Sequence, residues 1–169
     1  MIIWINGAYG SGKTTISNAL HSRLDNSYIY DPENAGNFVR NNFPSIFWKD
    51  DFQDFEIWRM INFEMIKYIV ENYEHKIIVP MSIVNENSYN EIILKLSELF
   101  VVKHFILYAG FETILKRNLE RGEEPNSWCI RQIDRCINAF NNNIKGTIID
   151  NENRKLDIVV DEIIQKIKL

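Results

Sequence analysis

At 169 residues the chain is long enough to bury a substantial core, and a single domain spanning residues 1–169 is expected. Its residues are 46% hydrophobic and 25% charged, ordinary values for a globular protein. The formal net charge of −4 disfavours a general nucleic-acid binder, which needs Lys and Arg against phosphates. The opening Met1–Ile5 is apolar but has no basic n-region before it. No stretch of about 20 apolar residues occurs, so no stable membrane insertion is expected. The expected address is the cytoplasm.

The elements follow in chain order. Met1–Ile5 predicts a buried strand, and Ile16–Leu24 a helix with Ile16, Ala19, Leu20 and Leu24 at helical spacing. Ser27–Tyr30 predicts a second strand, stopped by Asp31-Pro32. The stretch from Pro32 to Asp51 is the least regular and reads as an insertion over the sheet. A long helix is expected over Phe52–Tyr73, a third strand over Lys76–Pro80, and a helix over Tyr89–Leu99. Val101–Tyr108 predicts a fourth strand. Helices at Phe111–Arg121 and Trp128–Asn141 flank a polar loop, and Thr147–Ile149 predicts a fifth strand. Leu156–Leu169 closes the sequence as an amphipathic helix with Val159, Val160, Ile163, Ile164 and Ile167 on one stripe. Apolar strands alternating with helices indicate a parallel sheet covered on both faces, with ligands at the carboxyl ends of its strands.

Cys129 and Cys136 would share a helix face about 10 Å apart along its axis, too far for a disulfide. Reduced core thiols are expected. His21, His75 and His104 are scattered, and a zinc site is not expected.

Three of the seven glycines cluster in Asn6–Thr15. Gly7-Ala8-Tyr9-Gly10-Ser11-Gly12-Lys13-Thr14 fits G-x-x-x-x-G-K-[ST], the phosphate-binding P-loop, and Thr15 follows it. Glycines let backbone N–H groups wrap an anion, and the helix that begins nearby adds the positive end of its dipole. Lys13 would reach the outer phosphates, and the Thr14 hydroxyl would face Mg²⁺. The expected ligands are therefore ATP and Mg²⁺.

The class of P-loop protein narrows by elimination. The chain is short for a helicase or motor. It has no Asn-Lys-x-Asp base-recognition motif of GTPases and no Ser-Gly-Gly signature of transporter ATPases. Small kinases remain, whose lid supplies arginines. Arg117 and Arg121 are spaced to share a helix face and are the candidates to meet the nucleotide, in a lid region over about residues 117–135.

Several stretches resemble the bacterial tunicamycin resistance proteins: MIIWINGAYGSGKT, Tyr30-Asp-Pro-Glu33, Lys49-Asp-Asp-Phe-Gln53 with Trp58-Arg59, Ile78-Val-Pro-Met81, Asn126-Ser-Trp128, and Gln132-Ile-Asp-Arg-Cys136. The similarity runs over nearly the whole chain. It implies a P-loop kinase-like protein that binds ATP and protects against a nucleoside antibiotic, by phosphorylating the drug or by holding it. Members of that family carry a further C-terminal amphipathic segment linked to membrane association, whereas this sequence ends at Leu169. The helix from Leu156 is expected to pack in the core, with peripheral membrane association left open.

The acceptor side is less defined. Many P-loop enzymes end the third strand with an acid, but Lys76-Ile-Ile-Val-Pro-Met81 has none. Asp31 and Glu33, just past the second strand, are the nearest carboxylates at the right edge. They could orient Mg²⁺ or take a proton from an acceptor hydroxyl. Asp31 equally suits the start of a turn that Pro32 forces. The region of about residues 32–75 is aromatic, with Phe38, Phe43, Phe47, Trp48, Phe52, Phe55 and Trp58, and holds only Arg40 and Arg59 as arginines. Such a lining suits an uncharged or partly apolar acceptor better than a nucleoside monophosphate, although half or more of these aromatics should pack the core.

The sequence thus predicts an α/β three-layer P-loop kinase-like fold with a five-stranded parallel core sheet, a helical acceptor-binding insertion and an Arg-bearing lid. Lys13, Asp31 and Arg121 are the expected catalytic residues. Gly7 to Thr15, Arg117 and Arg121 are expected to bind nucleotide. Asp31, Glu33, Phe38, Phe52, Trp58 and Arg59 are expected to meet a small-molecule acceptor. The favoured chemistry is phosphoryl transfer to a hydroxyl of a nucleoside-type antibiotic. The alternatives are a nucleotide-gated binding protein that sequesters its ligand, and a general nucleoside or metabolite kinase. A homodimer is left open.

Overall fold

The computed structural model describes residues 1–168. Five parallel strands form one sheet in the order β2-β3-β1-β4-β5. They are β1 (Ile2–Gly7), β2 (Ser27–Ile29), β3 (Lys76–Pro80), β4 (Val102–Tyr108) and β5 (Thr147–Asp150). β1 is central and wholly buried, as a strand covered on both faces must be. Its side chains alternate. Ile2 and Trp4 enter one core, while Ile3 and Ile5 enter the other.

The core on the Ile3 side is closed by α1 (Lys13–Arg23), through Ile16 and Leu20, and by the C-terminal helix (Leu156–Lys168), through Val159, Val160, Ile163 and Ile167. That helix is core-packed, as its stripe predicts; Leu169 lies outside the described residues. The Trp4 side is closed by α2 (Pro32–Asn42), α3 (Glu56–Asn72) and the segment 86–99. In chain order the remaining helices are α4 (Glu86–Ser88), a π turn over Tyr89–Leu94, α5 (Lys95–Leu99), α6 (Phe111–Glu120), α7 (Trp128–Arg131) and α8 (Ile133–Asn142). The C-terminal helix is α9. A third cluster joins α6 and α8 to the end of β4 through Ile106, Ile114, Ile133 and Cys136.

Four helical expectations are corrected. Residues after Pro32 form helix α2, where the sequence reads as irregular. Asp31 caps it by accepting the Glu33 N–H at 2.9 Å, and Pro32 occupies the first turn, which tolerates a missing N–H. Four Asn and a Gly lower its propensity, so packing of Ala35 and Val39 against the core holds it. The long helix expected from Phe52 begins instead at Glu56, after a separate 3₁₀ turn over Phe52–Asp54 capped by Asp51. The helix expected from Tyr89 starts earlier, at Glu86, where Asn85 caps it. The helix expected over Trp128–Asn141 breaks at Gln132 into α7 and α8. Cys129 and Cys136 therefore sit on different helices, both as free thiols, with Cys136 in the core.

Gly36 in α2 is a packing glycine. A Cβ there would lie 2.4 Å from the Phe52 ring, which is partly buried and covered by the Arg40 guanidinium at 4.5 Å. Gly36→Ala is therefore expected to destabilise the fold by about 1–3 kcal/mol, despite the better helix propensity of Ala. Urea denaturation checks this, and a raised midpoint would show that Phe52 moves aside freely.

Candidate active site

The P-loop joins β1 to α1 at the carboxyl edge of the sheet, and its shape is held from four sides. The Asn6 side chain accepts the Gly7 N–H at 2.8 Å and the Ile83 N–H at 2.9 Å. The Ser82 hydroxyl donates to the Gly7 carbonyl at 2.8 Å. Asn118 Nδ2 donates to the Tyr9 carbonyl at 2.9 Å, and Asn151 Nδ2 donates to the Ser11 carbonyl at 2.7 Å. Gly10 and Gly12 take φ of +90° and +93°, the left-handed region that favours glycine.

Helix α1 starts at Lys13 with no side-chain cap and no acid in its first turn. Its leading N–H groups have no intrahelical acceptor and face the pocket side with the positive end of the dipole. Lys13 Nζ donates to the Gly7 and Ala8 carbonyl oxygens, each at 3.0 Å. The ammonium is thus folded back across the loop, 5.3 Å from the Tyr9 ring centre. Burial pulls its pKa down to about 8.

A cavity of about 340 Å³ opens over this loop. It is bordered by Tyr9, Gly10, Gly12, Lys13, Thr14 and Thr15 of the expected nucleotide set, and by Asp31, Glu33 and Arg121. Asp31 thus does two things: it caps α2 and it borders the cavity. Burial, then the neighbouring Asp31 charge, raises the Glu33 pKa, with Lys13 opposing. Burial and the Asp51 carboxylate likewise raise the Tyr9 pKa, so its phenol stays protonated. Tyr9 packs edge-on against Trp128 at 4.9 Å between ring centres.

Other expected site residues lie elsewhere. Gly7, Ala8 and Ser11 form the loop's body rather than the cavity wall. Arg117 is turned to the chain after β5, donating to the Asn151 carbonyl at 2.9 Å. Trp58 is 0% exposed, and its indole N–H donates to the Pro32 carbonyl at 3.0 Å. Arg59 pairs with Glu91 at 2.8 Å and donates to the Gln53 carbonyl at 2.9 Å. Phe52 packs under Gly36 and Arg40. Phe38 is 63% exposed and borders a separate apolar groove that meets the cavity at Ile29 and Asp31. The aromatic insertion thus divides. Phe43, Phe52, Phe55 and Trp58 pack the core, while Phe38, Phe47 and Trp48 stay exposed.

Polar staples connect the parts. Gln53, fully buried, accepts the Val84 and Asn85 N–H groups at 2.8 and 3.1 Å, and its Nε2 donates to Asp51 at 3.0 Å. Asp51, only 4% exposed, also pairs with Arg135 of α8 at 2.9 Å. The single Asn118 and Asn151 carry no motif spacing, whereas Asp51 and Gln53 stand in the Lys49–Gln53 stretch that carries the family resemblance.

An ammonium that drops to about 8 when buried should regain its proton when phosphates arrive. ATP binding is expected to take up protons near pH 8–9 and to weaken as pH rises through 8. For folding the sign is opposite. The unfolded Lys binds more protons than the folded one between about 8 and 10.5, so Lys13 makes the free protein more stable as pH rises through that window. Calorimetric titrations in buffers of different ionisation enthalpy measure the uptake, and none at pH 8.5 would refute it.

The strand order, the crossover helices and the braced loop with its lysine define a P-loop kinase-like α/β protein, a fold that implies nucleotide binding. The chain belongs to the family described as AAA domain, whose model matches residues 3–150. The resemblance to the tunicamycin resistance proteins is borne out. The structure of the Deinococcus radiodurans tunicamycin resistance protein superposes with a TM-score of 0.83 at 27% identity, over 99% of this chain and 95% of that one. A sugar kinase from Janibacter sp. matches with a TM-score of 0.70 at 13% identity, over 99% and 94% of the two chains. The deoxyadenosine kinase of M. mycoides matches with a TM-score of 0.61 at 16% identity, over 99% of each chain. The last two are likenesses of fold. No curated protein matches the sequence. Among the described residues no helix is long and apolar enough to cross a membrane.

Proposed function

We propose that the chain is an ATP- and Mg²⁺-dependent phosphotransferase that acts on a hydroxyl of a nucleoside-type antibiotic or a similar small molecule in the cytoplasm, and so confers resistance. The observation that carries this reading is the gathering of Lys13, Thr14, Asp31, Glu33 and Arg121 around one cavity. The Thr14 hydroxyl and the Asp31 and Glu33 carboxylates are the hard oxygen donors that Mg²⁺ takes. When bound, the ion would offset phosphate charge. Lys13 and the α1 amides hold the phosphates, and Arg121 faces the transferring group. Asp31 orients the acceptor hydroxyl and receives its proton as the new P–O bond forms and the bond to ADP breaks.

A second reading is nucleotide-dependent sequestration of the ligand. It is favoured by Pro80, which ends β3 and borders the cavity where many relatives of the fold would place an acid. Incubation with ATP-Mg²⁺ and a panel of nucleosides and antibiotics, including tunicamycin, separates the two. Mass spectrometry should find a phosphate added to one member. Tight binding with no phosphorylated product across the panel selects sequestration.

A further inference from the structure

The geometry points to Asn118 as the positioning residue that ties the P-loop to Arg121 and sets where that guanidinium stands. Asn118 lies on α6, away from the cavity wall, and is 0% exposed. Its amide has three partners. Nδ2 donates to the Tyr9 carbonyl of the P-loop and to the Ile114 carbonyl, both at 2.9 Å. Oδ1 accepts from Arg121 Nη2 at 2.8 Å. Only this orientation satisfies all three, because a flipped amide would set Oδ1 against two carbonyl oxygens and its NH₂ against a guanidinium.

Two independent features make the link stiff. A Cβ on Gly10 would lie 2.5 Å from Asn118 Nδ2, so the loop backbone rests directly on this amide. Arg121 also stands at the end of α6, where Gly122 at φ +88° turns the chain away. An arginine at a helix end, with a long side chain and several rotamers, needs an anchor to face the cavity in one pose. Asn118 supplies it, and from the same amide it fixes the loop that holds the phosphates. Loop and arginine therefore keep a set spacing.

This inference rests on the nucleotide-binding reading, and its test separates the two. ATP and ADP affinities are measured by titration calorimetry for the wild type, Arg121→Ala, Asn118→Ala and the double variant. A charge-assisted contact to the outer phosphate should give the wild type about a tenfold preference for ATP that Arg121→Ala removes. Asn118→Ala should lower that preference by a similar factor, and the double variant should lose no more than Arg121→Ala alone, the signature of residues acting as a unit. A merely structural Asn118 would weaken ATP and ADP equally. An unchanged preference in Asn118→Ala, or losses that multiply in the double variant, overturns the inference. So does an unchanged preference in Arg121→Ala. If Asn118→Ala fails to fold, Asn118→Ser carries the test. Its hydroxyl can keep the bond to the Ile114 carbonyl but is too short to reach Arg121, so the preference should again fall; a retained preference overturns the inference. A wild type that binds neither nucleotide defeats the nucleotide-binding reading itself.

Discussion

Lys13→Ala is expected to weaken ATP binding by about 10²-fold or more and to abolish turnover, while leaving the fold at least as stable as before. The loss follows from removing the one ammonium that the loop presents to the phosphates; hydrogen bonds to charged groups are worth about 1.5–3 kcal/mol each, and one lysine makes several. The retained stability follows from the free structure. There the ammonium is buried against two carbonyl oxygens, and that burial pulls its pKa to about 8, a sign that the charge is held at some cost. Taking it away removes no member of the three apolar cores. Calorimetry with ATP-Mg²⁺ and a thermal melt of each protein together decide the matter. Equal affinity in the variant would remove Lys13 from the site, and a large drop in melting temperature would recast it as a structural residue.

Asp31→Asn carries the second large effect. The substitution keeps size and polarity, and Asn caps helices about as well as Asp, so the bond to the Glu33 N–H and the start of α2 should survive. What disappears is the charge at the cavity. A phosphotransferase should then slow by on the order of 10²-fold or more, the scale of a lost general base, with ATP and acceptor still bound. A purely capping Asp31 predicts an unchanged rate. Product formation by mass spectrometry, read beside acceptor binding and the thermal melt, separates these outcomes. Undiminished turnover would reject Asp31 and direct attention to Glu33, which borders the same cavity.

The parts of this molecule legible in the sequence are those governed by short-range patterns. The strands emerge within a residue or two because each carries a short apolar run between breakers. The P-loop reads directly because its spacing encodes a backbone shape, and Asp31 and Arg121 reach the cavity wall as their positions suggest. Helix α2 is hidden because Asp31-Pro32 serves equally as a strand stop and a helix start, and the Asn-rich run that follows owes its helicity to tertiary packing. Trp58 and Arg59 illustrate a different limit. Aromatic and basic residues in an insertion suit a ligand wall and a core equally, and only the partner, Pro32 for one and Glu91 for the other, decides. Asn118 and Asn151 are invisible for a related reason. Their contacts join segments far apart in the chain, and an isolated Asn has no periodicity.

That distance has a consequence for how the chain leaves the ribosome. The P-loop is encoded within the first fifteen residues, yet three of its four braces sit 75, 109 and 140 residues downstream, at Ser82, Asn118 and Asn151. A nascent chain that has emerged only through α3 contains the complete motif and none of these supports. β1 itself has no neighbours until β3 and β4 arrive to pair with it on either side. Contacts so distant in sequence form late, because the loops that bring them together must close first. Capture of a nucleotide is thus a property of the finished protein, and a ligand that favours the braced loop would draw the last folding step to completion.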